Sequence, residues 1–264
     1  MDLALEEIEF LALSPNRVAV LNALRESSST RRELEEATGA SQPTLGRILR
    51  DFDERNWITR TSDGYDVTAT GRLIAAGFTD LRKIVETELT LRDIVEWLPT
   101  DEMAFDLLAL RDATITTPSQ TRPGAPVGRV TETIRGANRV RIVSYAFNER
   151  SLETVCRNVL EDDQTFEGVF SATAIDALAD DSTLRERLRE LLEADRAEIR
   201  VFDGDVPHAV TVADDVVSLM IRDDDGVLQA ALDTDNQHVR MWGEDLHERY
   251  WEESDPLEAD ALEE

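Results

Sequence analysis

The sequence predicts an α+β protein in which an N-terminal winged helix-turn-helix precedes a linking helix and a C-terminal α/β domain. Three observations predict this order. Residues 30–68 hold two capped helices and then alternating strands around an Asp-Gly pair, which favours a hairpin. Residues 73–98 keep helical spacing, and from residue 140 strands alternate with helices before a run of strands. We place the units at 1–72, 73–99, 100–251 and an acidic tail at 252–264.

The first helix of the N-terminal motif is bounded by sequence signals at both ends. Thr30 is followed three residues later by Glu33, which is the spacing of a capping box. Gly39 comes after the helix, where a left-handed residue is common. Ser41 is the expected N-cap of the second helix, and Pro43 fits its first turn. The apolar positions of that second helix follow helical spacing and are Leu45, Ile48, Leu49 and Phe52.

The exposed side of this motif carries residue types that contact DNA bases and phosphates. Four would enter the major groove from the second helix, namely Gln42, Thr44, Arg47 and Arg50, beside its N-cap Ser41. Three others would contact phosphate, namely Arg31, Arg32 and, on the wing, Arg60. The same arginines would also suit an ordinary solvated surface, and a winged helix can bind protein instead of DNA.

The overall charge opposes DNA binding unless salt is high. The chain has 264 residues, 56 acidic and 28 basic, and Lys83 is its one lysine. Between Gly39 and Arg50 there is no acidic residue. An acidic, lysine-poor but apolar-rich composition is typical of a salt-adapted cytoplasm, where the Debye length at molar salt is about 3 Å. We therefore expect a halophilic, cytoplasmic protein whose distant acids do not repel DNA.

Residues 10–72 resemble archaeal winged-helix regulators of the ArsR and TrmB type. Within that range, residues 14–17 (Ser-Pro-Asn-Arg) before an apolar helix, and residues 39–44 (Gly-Ala-Ser-Gln-Pro-Thr), are similar to haloarchaeal members. The resemblance implies transcription regulation, often by a dimer on a palindromic operator. Double-stranded DNA is therefore the expected partner.

The linking helix has two apolar stripes whose phase shifts near residues 88–89. The first stripe is Ile74, Phe78, Leu81 and Val85, and the second is Leu91, Ile94, Val95 and Leu98. Such a helix can pack against a symmetry mate, or it can pack on its own domain. We favour a homodimer, because two-fold operators suit two-fold proteins.

The C-terminal region reads as strands and helices followed by a meander. Strands are predicted near 113–117, 140–144, 165–170, 197–202, 209–212, 216–221, 227–232 and 238–241, and helices at 127–135, 152–160 (capped by Ser151), 182–194 and 242–251. Residues 252–264 hold seven acids and no base, so we expect a disordered or solvated tail.

Residues 100–251 resemble the sensor-type domain that follows archaeal winged helices, including the methanogenesis-regulatory family. Weak motifs carry this resemblance, among them residues 199–202 (Ile-Arg-Val-Phe), 206–208 (Val-Pro-His) and 242–244 (Trp-Gly-Glu). The last part is also similar to half of a phospholipase D-type unit. His208 and Asp215 have that family's spacing, but Val210 stands where its lysine should be, which implies an inactive relative at most.

A small-molecule effector is the expected ligand of this domain, because sites in α/β sheets form beyond strand ends. The candidate ligand-binding residues are Tyr145, Asn148, His208 and Asp215. Tyr145 and Phe147 could equally be core residues, and His208 could equally be a turn histidine whose hydrogen bonds are satisfied locally. The lone Cys156 is a conceivable redox sensor, although a single helical cysteine is more often buried.

No constellation indicates an enzyme, a cofactor or a metal site. Residues 1–10 are acidic without a basic flank, which argues against a signal peptide, and no apolar run is long enough for a membrane span. The sequence thus predicts a DNA-binding transcriptional regulator whose operator binding is modulated through its C-terminal domain. The alternatives are an adaptor whose winged helix binds protein and, further away, a phosphodiesterase dependent on His208.

Overall fold

The computed structural model describes residues 2–262, except for the side chains of residues 260 and 261. It has two compact units, Met1–Glu86 and Thr87–Glu264. The first is mainly helical and the second is built on a large sheet, so the predicted α+β class is confirmed. The boundaries that we placed at residues 72, 99 and 251 remain predictions.

The N-terminal unit contains four helices, a hairpin and most of a fifth helix. These are α1 (Leu3–Ala12), α2 (Pro15–Glu26), α3 (Arg31–Thr38), α4 (Gln42–Glu54), β1 (Ile58–Thr61), β2 (Gly64–Val67) and α5 (Ala69–Leu91). Leu34, Leu45 and Phe52 are fully buried at the centre of its core. Helix α1 was not predicted from the sequence. It begins after Asp2, whose side chain accepts a hydrogen bond from the Ala4 N–H at 3.0 Å.

The ends of α3 agree with the expected caps, whereas the start of α4 differs. Thr30 and Glu33 form a complete capping box, and Gly39 adopts φ of +68°. Ser41 occupies the N-cap position of α4, but its side chain makes no capping hydrogen bond to the backbone. Its hydroxyl instead pairs with the Thr44 hydroxyl at 3.0 Å. The first-turn N–H groups of α4 therefore have no side-chain acceptor from their own N-cap.

The wing is a tight hairpin joined to a third extended segment. Thr61 pairs with Gly64 across a two-residue turn. Ser29 and Tyr65 exchange backbone hydrogen bonds of 3.0 and 2.9 Å. Gly64 has φ of +127°, and a Cβ there would lie 2.5 Å from the Ser29 carbonyl oxygen. Only glycine meets both conditions, so the wing is fixed to the segment before α3.

The linking helix is shorter than predicted. α5 ends at Leu91, and a 3-10 turn at Val95–Trp97 follows. Leu91, Ile94 and Leu98 are all buried in one apolar cluster of the C-terminal unit.

The C-terminal unit is an eight-stranded mixed sheet with helices on both faces. After a 3-10 turn at Leu107–Leu110, its elements are β3 (Thr114–Thr116), α6 (Ala125–Gly136), β4 (Arg139–Ser144), α7 (Glu149–Glu161), β5 (Thr165–Ser171), α8 (Ala172–Ala179), α9 (Ser182–Leu192), β6 (Ala197–Phe202), β7 (Ala209–Ala213), β8 (Val216–Arg222), β9 (Leu228–Thr234), α10 (Gln237–Glu252) and β10 (Asp255–Pro256). The strand order is β10-β6-β5-β4-β7-β8-β9-β3. β4, β5 and β6 are parallel, and the other pairs are antiparallel.

The two sheet faces have separate cores. On one face α6 packs on β8 and β9, α7 and α8 pack on β5, and α9 packs on β6, with Phe166, Val155 and Leu188 buried. On the other face α10 packs on β7 and β8, with Trp242 and Leu246 buried. The sheet is thus a layer between helices, with loops and cavities at its edges.

Two sequence predictions in this unit were wrong, and one helix was not predicted. Residues 238–241 alternate in polarity, but they are the first turn and a half of α10, because Asn236 caps it and Val239 and Trp242 are buried three residues apart. The cap of α7 is Asn148 rather than Ser151. Between residues 172 and 179 the structure has α8, a helix that the sequence analysis missed.

The acidic tail is largely ordered. Asp255 and Pro256 pair with Val201 and Arg200 of β6. The Leu257 N–H donates to the Ile199 carbonyl at 2.9 Å. Leu257 packs against the core on the sheet face covered by α6 to α9, and Leu262 is buried within that core. The expectation of disorder was therefore wrong for residues 253–262, because two leucines and a strand edge outweigh the local acidity; residues 263 and 264 lie outside the described part.

Candidate nucleic-acid interface and ligand cavity

The apolar side of α4 packs in the core, so the exposed side of the helix is polar. Leu45, Ile48 and Leu49 are buried, which leaves Gln42, Arg47 and Arg50 exposed on other sides of the helix. Thr44 is half-buried and held by Ser41. The Gln42 amide donates to the Glu35 carboxylate at 2.5 Å, so the side chain is held at the α3–α4 turn with its amide oxygen free to accept.

The arginines predicted to contact DNA differ in how they are paired. Arg32 forms an i,i+4 ion pair with Glu36 at 3.1 Å. Arg50 lies 3.8 Å from both Asp51 and Glu54. Within residues 2–262, no carboxylate lies within 4.0 Å of a guanidinium nitrogen of the remaining three, which are Arg31, Arg47 and Arg60.

The unpaired arginines are distributed over α3, α4 and the wing. The Arg31 guanidinium lies across α4, because a Cβ at Gly46 would be 3.4 Å from Arg31 Nη2. Arg47 is one residue further along that helix. Arg60 is exposed on β1, in register with Tyr65 of β2. This unit therefore presents cations from each of the elements that a winged helix-turn-helix places against DNA.

Two further arginines have a structural role that the sequence analysis missed. The guanidinium groups of Arg17 and Arg55 lie 3.9 and 3.8 Å from the centre of the Phe10 ring. Arg55 also pairs with Glu7 at 2.7 Å, and Arg17 donates to the Phe10 carbonyl at 2.7 Å. These contacts hold α1 on the winged helix. They join α1 to the start of α2 and to the end of α4, so the pattern within a single helix does not predict them.

Two of the four candidate ligand-binding residues lie together at one end of the central strands of the large sheet. Tyr145 follows the end of β4, and His208 precedes β7, which is antiparallel to β4. The last residue of β8, Arg222, lies at the same end. A cavity of about 250 Å³ lies there, and its lining includes these three residues and Trp97. The sequence predicted the strand ends but not Arg222 or Trp97.

The lining of this cavity is polar and tightly coupled. The Arg222 guanidinium lies 3.0 Å from the centre of the Tyr145 ring. Burial raises the pKa of the Tyr145 hydroxyl, and the positive charge of Arg222 opposes this rise in part. His208 Nε2 lies 3.1 Å from Glu102 Oε1. The cavity thus has a cation, a neutral hydroxyl and an imidazole beside a carboxylate, and Asp223 and Asp224 also line it.

The other two candidate residues lie elsewhere. Asn148 is the N-cap of α7: its Oδ1 accepts from the Ser151 N–H and its Nδ2 donates to the Ser151 hydroxyl, both at 3.0 Å. It lines a separate cavity of about 120 Å³ with Tyr145. Asp215 pairs with Arg240 in the turn after β7. That strand puts roughly 16 Å between Asp215 and His208, so the prediction that both share one pocket was wrong.

Cys156 is buried in the core on the sheet face covered by α6 to α9. Burial, reinforced by the negative charge of Glu190, raises the pKa of its thiol to about 11. Its Sγ donates to the Arg187 carbonyl at 3.4 Å. An oxidation-sensitive thiol needs a low pKa and access to solvent, and Cys156 has neither.

Comparisons with known families match both units. Residues 5–90 match the model of the HVO_A0261 N-terminal domain. Residues 123–253 match the middle domain of the methanogenesis regulatory protein FilR1. Over these two stretches the chain is similar to a winged-helix regulator followed by a FilR1-type middle domain. The resemblance inferred from sequence to a winged-helix regulator with a methanogenesis-regulatory domain is therefore confirmed.

Solved structures resemble the chain only distantly. TrmBL2, an archaeal chromatin protein, is 14% identical with a TM-score of 0.44, over 95% of this chain and 98% of that one. NucT from Helicobacter pylori is 11% identical with a TM-score of 0.42, and the phospholipase D family member Nuc from Salmonella typhimurium is 9% identical with a TM-score of 0.44. Both of these cover 55% of this chain and 99% of the other. These scores are too low to add to the assignment.

No curated protein sequence matches the chain significantly. Among the described residues, no helix is both long and apolar enough to cross a membrane. In the same residues, no three His, Cys, Asp or Glu side chains are grouped so that they could hold a metal ion.

Proposed function

We propose that this protein is a sequence-specific DNA-binding transcriptional regulator that places α4 in the major groove. Arg47 would contact base edges there, and Arg31 and Arg60 would contact backbone phosphates. The observation that supports this most is that these three arginines are exposed and unpaired in a chain with twice as many acids as bases. They can bind phosphate without first losing an ion pair, whereas Arg32 and Arg50 cannot.

The net charge of −28 requires that binding occurs at high ionic strength. At molar salt the Debye length is about 3 Å, so only charges in direct contact with DNA matter. High salt also weakens every phosphate contact, which makes base contacts from α4 the larger share of specificity. We therefore propose that the protein works in a salt-adapted cytoplasm.

A homodimer is proposed as the DNA-binding form. Most large apolar side chains exposed in residues 2–262 lie on α1 and α5: Leu3, Leu5, Ile8, Leu73, Leu81, Ile84, Val85 and Leu89. A cavity of about 660 Å³ lined mainly by apolar side chains lies between these helices, within the N-terminal unit. Exposed apolar surface of this extent marks an interaction site, and a two-fold contact here would present two α4 helices to two half-sites.

Control by an effector is proposed for the C-terminal unit. The cavity at Tyr145, His208 and Arg222 is small, at about 250 Å³, so it would take a compact polar metabolite. A ligand that binds one arrangement of the dimer more tightly would shift the half-site spacing and hence operator affinity. A compound that binds this unit yet leaves operator affinity unchanged would contradict this step.

The proposal is tested by selecting binding sites from a random duplex library in molar KCl. The native protein should enrich a palindromic sequence, and Arg47→Ala should lose enrichment. Arg157→Ala is the charge-matched control, since Arg157 is a half-exposed arginine of α7 paired with Glu153 at 3.5 Å. Equal enrichment by Arg47→Ala and Arg157→Ala would show that α4 does not read the sequence.

The rival function is an adaptor whose winged helix binds another protein. The exposed apolar surface of α1 and α5 would serve it as well as it serves dimerisation. An adaptor predicts that no duplex is enriched from 0.2 to 3 M KCl, roughly the range over which screening changes from partial to nearly complete. A phosphodiesterase would instead cleave a phosphodiester and lose that activity in His208→Ala.

A further inference from the structure

A second cavity in the C-terminal unit has the opposite charge character to the rest of the molecule. It has a volume of about 750 Å³ and lies where the end of β3 meets the start of α6 and α7. Three arginines line it, namely Arg122, Arg129 and Arg150, and Glu132 is the one carboxylate among the described residues that do so. None of the residues that form the cavity at Tyr145 and His208 belongs to this lining.

Arg129 is fixed in place by a buried acidic anchor. Its Nε donates to Asp233 Oδ2 at 2.9 Å, and the Asp233 side chain is 2% exposed. The other oxygen of Asp233 accepts from the Ser218 hydroxyl. In the described part of the chain, no residue accepts from the two terminal nitrogens of Arg129. The guanidinium is thus oriented by the sheet while its outer edge remains free to donate.

Arg122 and Arg150 are exposed on the other sides of the cavity. Neither has a carboxylate within 4.0 Å among the described residues, although acids are twice as common as bases in this chain. Three guanidinium groups close together repel one another, and an anion bound between them offsets that repulsion. An arginine cluster of this kind suits phosphate or carboxylate, which it can bind with paired N–H groups.

The backbone at the cavity supports the same ligand chemistry. α6 starts here without a side-chain cap and with no acid in its first turn. Gly124 and Gly128 have open space where a Cβ would be, so a ligand can approach the main chain. Thr116 and Thr117, which carry hydroxyl groups, also line the cavity. These features reinforce the arginines but would not define a site without them.

We propose that this cavity binds a small organic phosphate. The phosphate group would contact Arg122, Arg129 and Arg150, and Glu132 would accept a hydrogen bond from a hydroxyl group of the same ligand. A concave site of this volume suits a metabolite, whereas a duplex would need a broad convex or flat basic surface. The site is separate from the effector cavity proposed above, and binding here does not depend on DNA recognition.

The test is calorimetric titration of the full-length protein with glycerol 3-phosphate, with glycerol as the uncharged control and ionic strength held constant with KCl. The native protein should bind glycerol 3-phosphate and not glycerol. Arg122→Gln combined with Arg150→Gln should weaken binding at least tenfold. Both side chains are exposed and unpaired, so the fold should be retained, which the unfolding midpoint checks.

Arg135→Gln is the matched control, because Arg135 is exposed in the last turn of α6 and does not line the cavity. It should bind glycerol 3-phosphate as the native protein does. Absence of binding by the native protein at millimolar ligand would overturn the proposal, as would equal binding by the double variant. A double variant that loses DNA affinity when the native protein binds no glycerol 3-phosphate would reassign these arginines to DNA and also overturn it.

Discussion

Gly71, in the first turn of α5, lies against the main-chain carbonyl of Trp57 so closely that a Cβ at position 71 would be 1.9 Å from that oxygen. The same carbonyl accepts hydrogen bonds from the Thr68 N–H at 2.9 Å and the Thr68 hydroxyl at 3.1 Å. The contact joins the start of the long helix to the base of the wing. It therefore determines where the wing stands with respect to α5.

Gly71→Ala should destabilise the N-terminal unit by about 2 kcal/mol or more, because the backbone must shift to accommodate the methyl group. Gly77→Ala is the control in the same helix, where a Cβ meets nothing within 4 Å. It should raise stability by about 0.5 to 1 kcal/mol, the difference in helix propensity. Denaturant unfolding in molar KCl measures both, and equal effects would show that the close approach is unimportant.

Single arginine substitutions should affect DNA binding according to their pairing. Arg47→Ala should cost about 1–3 kcal/mol and relax specificity at one base position. Arg60→Ala should weaken binding to all sequences alike and reduce the salt slope by about 1. Arg32→Ala should have the smallest effect, since Glu36 already pairs with it. Fluorescence anisotropy over a KCl series gives all three, and a larger loss for Arg32 than for Arg47 would contradict the ranking.

The apolar surface of α1 and α5 predicts the oligomeric state. Leu81→Glu should convert a dimer into a monomer of 29.7 kDa, because a carboxylate at that position would be buried without a partner. Leu160→Glu is the control, since Leu160 is exposed on α7 in the other unit. Sedimentation equilibrium in molar KCl distinguishes the two masses. A native protein that sediments as a monomer would refute the dimer.

Cys156 should be inert in the folded protein. At pH 8 a thiol with a pKa of about 11 is roughly 0.1% thiolate, and the core covers it. A disulfide reagent should therefore react no faster than the protein unfolds, and at full speed in denaturant. Rapid labelling of the folded protein, with loss of DNA binding, would restore the redox-sensor hypothesis.

His247 makes stability depend on pH. Burial lowers the pKa of its imidazole to about 4, although the nearby carboxylate of Glu167 opposes this. The ring stacks on Trp251 with centroids 5.2 Å apart. Between pH 6.5 and about 4 the unfolded chain binds a proton that the folded protein excludes, so this contribution to stability is lost as the pH falls, by up to about 1.4 kcal/mol per pH unit.

His247→Gln removes that titration. Its unfolding free energy should therefore decline less steeply than that of the native protein between pH 6 and 4.5, while the many carboxylates common to both proteins cancel in the comparison. Parallel pH profiles for the two proteins would show that His247 is protonated in the folded state.

Much of the winged helix could be predicted because its signals are local. The capping box at Thr30 and Glu33, Gly39 at φ of +68° and the hairpin after Trp57 each depend on a few adjacent residues. α1 was missed because its position depends on Arg17 and Arg55, which meet Phe10 from two other helix ends. The pairing that separates Arg47 from Arg50 likewise follows from side-chain geometry rather than from residue type.

The C-terminal cavities were predicted less well for a related reason. Tyr145 and His208 follow and precede strands, so a rule about strand ends found them. Spacing along the chain suggested Asp215 as a neighbour of His208, but β7 lies between the two residues and places them at opposite ends of that strand. Arg122, Arg129 and Arg150 come from a loop and two helices, and only the packing of α6 on the sheet brings them to one cavity.

The pairing of Asp255 and Pro256 with β6 also protects the protein against aggregation. β6 would otherwise end the sheet with open hydrogen-bonding groups, which invite strand addition from another chain. A short strand containing proline and flanked by acids closes that edge and offers no continuation of its own. A chain shortened after residue 252 would retain every α-helix of the sheet domain and yet expose a template for aggregation.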